Sequence, residues 1–124
     1  MQLEVNGSSA FVATAGKELS RRQPSIVFIH GAGMDHSVWA LQSRYFANRG
    51  YNVLAVDLPA HGRSGGDALT SIAAMADWIM ALLDAAGIEQ ATLIGHSMGS
   101  LVALDAAVRY KERVARIGLL GTAA

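Results

Sequence analysis

Cysteine is absent from these 124 residues, which excludes a disulfide framework and fits a reducing compartment, here expected to be the cytoplasm. An excess of either charge is absent too. Ten basic and ten acidic side chains cancel, so nothing favours nucleic acid or an acidic partner. No apolar run approaches the ~20 residues of a membrane span, so no membrane role is expected. Met1-Gln2-Leu3-Glu4-Val5 lacks the charged start and apolar stretch of a signal peptide. Four histidines are scattered singly, without H-x-x-x-H spacing, so no metal and no cofactor are expected. Repeats, low-complexity stretches and interdomain linkers are missing as well. The most consequential absence is a histidine beyond position 96.

What is present is apolar and punctuated. Apolar residues make up 52% of the chain, enough to bury a core, and the length holds one domain at most. Gln2–Val5 and Ala10–Thr14 read as a hairpin turning through Asn6-Gly7 and its serines. Ser25–Ile29 and Asn52–Val56 show almost no polar alternation, as in strands buried on both faces of a parallel sheet. Ser37–Arg49 reads as a helix with Val38, Leu41 and Tyr45 on one face and Gly50 as its cap. Ser71–Ala86 carries an i, i+3, i+4, i+7 stripe of Ile72, Met75, Ala76, Ile79, Leu82 and Leu83. Ala91–His96 is a strand and Met98–Tyr110 a helix apolar nearly all round, expected to be buried on most sides. A last strand covers about Arg116–Leu120. Strands alternating with helices imply a mainly parallel sheet with right-handed crossovers, an α/β three-layer sandwich.

Chemistry concentrates at Gly95-His96-Ser97-Met98-Gly99. Strand, sharp turn and helix with a serine at the apex form a nucleophile elbow. Gly95 and Gly99 are small because side chains there would collide with the crowded strand and helix. The bare motif is weak evidence; its context is strong. The Ser25–Ile29 strand ends in His30-Gly31-Ala32-Gly33, and the Asn52–Val56 strand ends in Asp57-Leu58-Pro59-Ala60-His61-Gly62-Arg63-Ser64. These three segments resemble, in order, the HG-x-G loop, the D-x-P-x-HG-x-S loop and the G-x-S-x-G elbow of the α/β-hydrolase family. The resemblance runs from about Gln2 to Leu120.

That resemblance implies a single, incomplete domain over 1–124, cut after about the sixth strand, with spatial order 1-2-4-3-5-6. It implies Ser97 as nucleophile and the N–H groups of Ala32 and Met98 as oxyanion donors, each typically worth ~2.7–4 kcal/mol in the transition state. It casts His30, Gly31, Gly33, Asp57 and His61 as loop support. The competing reading of Ser97 is an ordinary helix cap. His96 should point to the opposite face from Ser97, and His36 to fill a structural or surface place. Met34, Trp39 and Met98 are candidates for an acyl pocket, although Trp39 also fits a core position. Ala60 stands where the family more often has glycine, a change expected to be tolerated.

In this family the acid and histidine follow the serine, whereas here only Asp105 and Glu112 follow, and no histidine. The expectation is therefore a serine hydrolase of the esterase or lipase kind, acting on a small ester-like substrate, with acid and base missing and the 124 residues alone inactive. The alternative is a non-catalytic binding or interaction protein. A complete enzyme with an Asp57–His61 dyad is a third reading. An open edge at the last strand would invite self-association or pairing with a complementary C-terminal segment.

Overall fold

A computed structural model describes residues 1–121. The strands are β1 (Gln2–Val5), β2 (Ser8–Ala13), β3 (Ser25–Ile29), β4 (Asn52–Val56), β5 (Ala91–His96) and β6 (Val114–Leu120); the helices are α1 (Ala40–Ala47), α2 (Ile72–Ala85) and α3 (Met98–Arg109). One six-stranded sheet has the order β1-β2-β4-β3-β5-β6, as the resemblance implied. β1 and β2 run antiparallel to their neighbours, and β4, β3, β5 and β6 are parallel. No described helix is long and apolar enough to cross a membrane.

The hairpin turns on two residues, Asn6 at φ 51° and Gly7 at φ 83°, the pair of positive φ values that a type I′ turn requires. Ser8 and Ser9 consequently pair with Val5 and Glu4 as part of β2, instead of lying in the turn.

Every residue of β3 and β4 is buried, because helices cover both faces. Alternate residues divide between two cores. Val27, Ile29, Leu54 and Val56 meet α2 and α3, whereas Ile26, Phe28, Val53 and Ala55 pack with Trp39 and Ala47. The expected stripe of α2 is the buried one, Ile72 being only partly covered. Its first turn is closed by Ser71, whose Oγ accepts the Ala74 N–H at 3.0 Å.

Two helices depart from expectation. The segment expected as one helix over Ser37–Arg49 begins as a 3-10 turn, His36–Trp39, capped by the Asp35 carboxylate, and α1 ends at Ala47. Val38, Leu41 and Tyr45 face outward, Leu41 being 75% exposed. The inward face carries Trp39, Ser43 and Ala47. Small residues let the helix approach the sheet closely, and Trp39 stacks on Phe28 with centroids 4.9 Å apart. The second departure is α3, whose outer side is open. Val102, Ala103 and Ala106 are buried, but Leu104 and Val108 are exposed, Val108 by 62%. Nothing among the described residues covers that flank. β6 likewise pairs only with β5 there, leaving Ile117, Leu119 and Leu120 exposed.

Candidate active site

β5 delivers Ser97 to the C-terminal end of the parallel strands. Ser97 has φ 54° and ψ −117°, a conformation that costs a non-glycine residue about 1–3 kcal/mol. Its N–H donates to the Leu120 carbonyl at 2.9 Å, and its carbonyl accepts from Ser100 N–H and Oγ at 2.9 and 2.5 Å. A Cβ on Gly95 would strike the backbone of Gly99, and one on Gly99 would strike the carbonyl of Ile29. Glycine is therefore obligatory at both positions for steric reasons. The Ser97 side chain makes no capping hydrogen bond to α3, so the geometry lacks the bond that defines the helix-cap alternative.

The loop after β3 lies beside this serine. A Cβ built on Gly31 would sit 3.3 Å from that of Ser97 and 3.3 Å from the Met34 sulfur. His30 is fully buried. Its Nδ1 lies 2.7 Å from the Gly31 carbonyl and its Nε2 accepts the Leu58 N–H at 3.1 Å. A carbonyl only accepts, so these partners assign the neutral ring with its proton on Nδ1. Burial, first, pushes the His30 pKa below its ordinary value. Among the described residues neither the Ala32 N–H nor the Met98 N–H donates to a protein acceptor, leaving both free for a ligand.

Asp57, at the end of β4, is fully buried. Its carboxylate accepts N–H groups from His36 at 2.7 Å and Arg63 at 2.9 Å, and its Oδ1 lies 2.9 Å from His36 Nδ1. Gly62, at φ 51°, passes so close that any Cβ would collide with that carboxylate. Ser64 Oγ donates to the Asp57 carbonyl at 2.6 Å and accepts the Phe11 N–H at 2.9 Å. Asp57 thus ties the loop after β3 and its own loop after β4 to strand β2.

Its imidazole partner is His36 and not His61, whose Nδ1 lies 3.0 Å from the Pro59 carbonyl and whose Nε2 accepts the Gly33 N–H at 3.2 Å. The sequence carries no signal for the His36 contact, which spans 21 positions. Asp35, His36 and Asp57 gather ligand atoms within 4.8 Å of one another. Yet Asp35 is engaged by the Ser37 N–H and Oγ, and Asp57 by the groups above, so we assign no metal there.

The remaining candidates separate cleanly. His96 faces Trp39, with ring centroids 6.5 Å apart, on the side expected. Trp39 belongs to the core beside Phe28, Met98 packs against the larger core, and Met34 is exposed next to Gly31. Asp105 is held by Arg109 at 2.7 Å. A hollow of ≈ 500 Å³ lies between Ser25, Asn52 and Ile88 at the opposite ends of the strands.

Comparison with known proteins agrees with this geometry. The sequence model of the alpha/beta hydrolase fold matches residues 24–124. A 2-hydroxy-6-oxononadienedioate/2-hydroxy-6-oxononatrienedioate hydrolase of Paraburkholderia phymatum is 39% identical over 114 residues, covering 86% of this chain and 37% of the relative. The dihydrolipoyllysine-residue acetyltransferase component of the acetoin cleaving system of Cupriavidus necator is 40% identical over 97 residues, covering 77% and 26%. The crystal structure of an enol-lactonase from Burkholderia xenovorans superposes with a TM-score of 0.87 at 28% identity, covering 99% of this chain and 47% of that one. The chain therefore spans between about a quarter and two fifths of the length of these two curated relatives.

Proposed function

The chain belongs to the alpha/beta hydrolase fold family, and on that premise we propose that it carries the nucleophile and oxyanion part of a serine hydrolase site. Ser97 Oγ gives its proton to the histidine that follows the serine in this fold and attacks an acyl carbonyl; the bond to the leaving group breaks as that histidine returns the proton to it, leaving an acyl-enzyme for water to hydrolyse, while the Ala32 and Met98 N–H groups hold the developing oxyanion. The observation that carries this reading is Ser97 itself: a strained serine with no capping bond, beside Gly31 and two unengaged amides.

His30, Gly31, Gly33, Asp57 and His61 shape the loops, and Gly95 and Gly99 shape the elbow. The acid and histidine follow the serine in this fold, so the reading draws both from sequence of the kind the longer relatives possess. The substrate class is a small molecule with an ester or related acyl bond, in keeping with an enol-lactonase as a structural neighbour. The exposed β6 edge is proposed as the place where this chain meets either a second copy or such a following segment. On the lack of cysteine, we place the protein in the cytoplasm.

The test is to read the source gene past the codon for Ala124, express whatever follows in frame with the chain, and treat the product with a fluorophosphonate. Stoichiometric labelling that disappears in Ser97→Ala is the expected result. A folded product that stays unlabelled, or a stop codon directly after Ala124 with no labelling of the chain, would overturn the reading and favour a binding protein.

A further inference from the structure

Two consecutive peptide groups flank Ala32, and a different histidine holds each one. The first joins the Gly31 carbonyl to the Ala32 N–H, and its oxygen lies 2.7 Å from His30 Nδ1. Among the described residues there are no cis peptide bonds. Fixing the carbonyl therefore fixes the opposite direction of the Ala32 N–H, and a hydrogen bond to that oxygen also polarises the N–H as a donor. The second group joins the Ala32 carbonyl to the Gly33 N–H, which donates to His61 Nε2 at 3.2 Å. The His30 and His61 rings lie against one another, centroids 4.9 Å apart.

The two bonds differ in their dependence on protons. His30 donates to its peptide, a role that a protonated ring would keep. His61 accepts from its peptide, and only an unprotonated nitrogen can accept. Its other nitrogen faces the Pro59 carbonyl, which requires N–H. The ring is therefore the neutral Nδ1–H form. His61 is only partly buried, so water reaches it, whereas His30 is fully enclosed. His61 lies against His30 of the loop after β3, a ring that also feels the charges of Asp35 and Asp57, and Arg63 follows His61 two positions on. Asp57 is occupied by His36 and Arg63 and makes no bond to His61.

We infer that His61 is a proton-sensitive latch on the oxyanion loop: unprotonated, it pins the Gly33 N–H and with it the peptide that follows Ala32; protonated, it lets that peptide go and leaves His30 alone to hold the loop beside Ser97. The inference rests on the reading of Ala32 as an oxyanion donor, and it adds an acidic limb of control to that site. His61 is a positioning residue here and touches no reacting atom.

The test uses the folded product expressed for the labelling experiment, labelled with 15N and titrated from pH 8 to 5. The His61 ring nitrogens and the Ala32 and Gly33 amides are followed together, with β3 amides reporting that the fold persists. The expected result is that the Gly33 amide shifts with the His61 midpoint and loses about two- to tenfold in exchange protection, the range for one net hydrogen bond. In His61→Gln, whose amide oxygen can accept without titrating, the shift should vanish and the protection persist. A Gly33 amide indifferent to His61 protonation overturns the latch. This readout is independent of Ser97 reactivity, so an unlabelled serine would defeat the functional reading and leave the latch standing. If Ser97 is labelled at a rate flat across the midpoint while Gly33 moves, the proposed control of the site is overturned.

Discussion

The His30 carbonyl oxygen lies against Gly99, where a Cβ would stand 2.7 Å away, and the Ile29 carbonyl is closer still. The first turn of α3 and the end of β3 are therefore in backbone contact. The nucleophile and the oxyanion loop are held in one block by the absence of a methyl group.

Gly99→Ala should consequently force that block apart. Overpacking of this kind costs about 1–3 kcal/mol, read as a lower urea midpoint. If the variant retains wild-type stability, the close contact is not present in solution.

Ala60 occupies the left-handed region at φ 63°, at the position where the family more often has glycine. That conformation carries strain for a residue with a Cβ. Ala60→Gly should stabilise by about 1 kcal/mol net, the relief of a left-handed residue less the added freedom of the unfolded glycine. Thermal denaturation checks the sign, and a lower Tm would count against it.

Burial depresses the His30 pKa from its ordinary 6.5. Below that value the unfolded chain binds a proton that the folded chain refuses, so stability rises with pH through this window. The contribution is complete above about pH 6.5 and is lost progressively as the pH falls beneath it. Urea unfolding between pH 8 and 5 should show that slope. It should be shallower in His30→Gln, after allowance for the lower overall stability of the variant.

The exposed edge and faces of β6 favour pairing between copies. Sedimentation velocity should show association that grows with concentration. Leu119→Lys should weaken it, because the exposed side chain at 119 loses its apolar contact and gains a charge. A monodisperse single chain at high concentration would remove β6 as a self-association surface.

Much of the fold was legible because its signals are local. The unalternated apolar runs Ser25–Ile29 and Asn52–Val56 could only be strands covered on both sides, and they are. Gly95 and Gly99 announced a crowded turn, and their missing Cβ positions are filled by backbone. The apolar stripe misled at α1. Val38, Leu41 and Tyr45 have the right spacing for a core face, yet Trp39, Ser43 and Ala47 are the residues that lie inward. Close approach to the sheet selected small side chains over large ones, a choice that hydrophobicity alone does not express. At α3 an all-round apolar pattern stood for burial that the described residues only half supply.

By itself the amino-acid sequence determined the strand–turn–helix at Ser97, the loops that precede it, and the family to which they point. Each of these depends on neighbouring residues: apolar runs, glycine sterics and turn chemistry. Only the tertiary structure decided that Asp57 holds His36, that His61 faces Gly33, and that Ala32 sits between two peptides pinned by different imidazoles. Those contacts join positions 21 to 28 apart for Asp57 and His61. They exist because parallel strands bring their C-terminal loops to one end of the sheet, a juxtaposition no local pattern encodes.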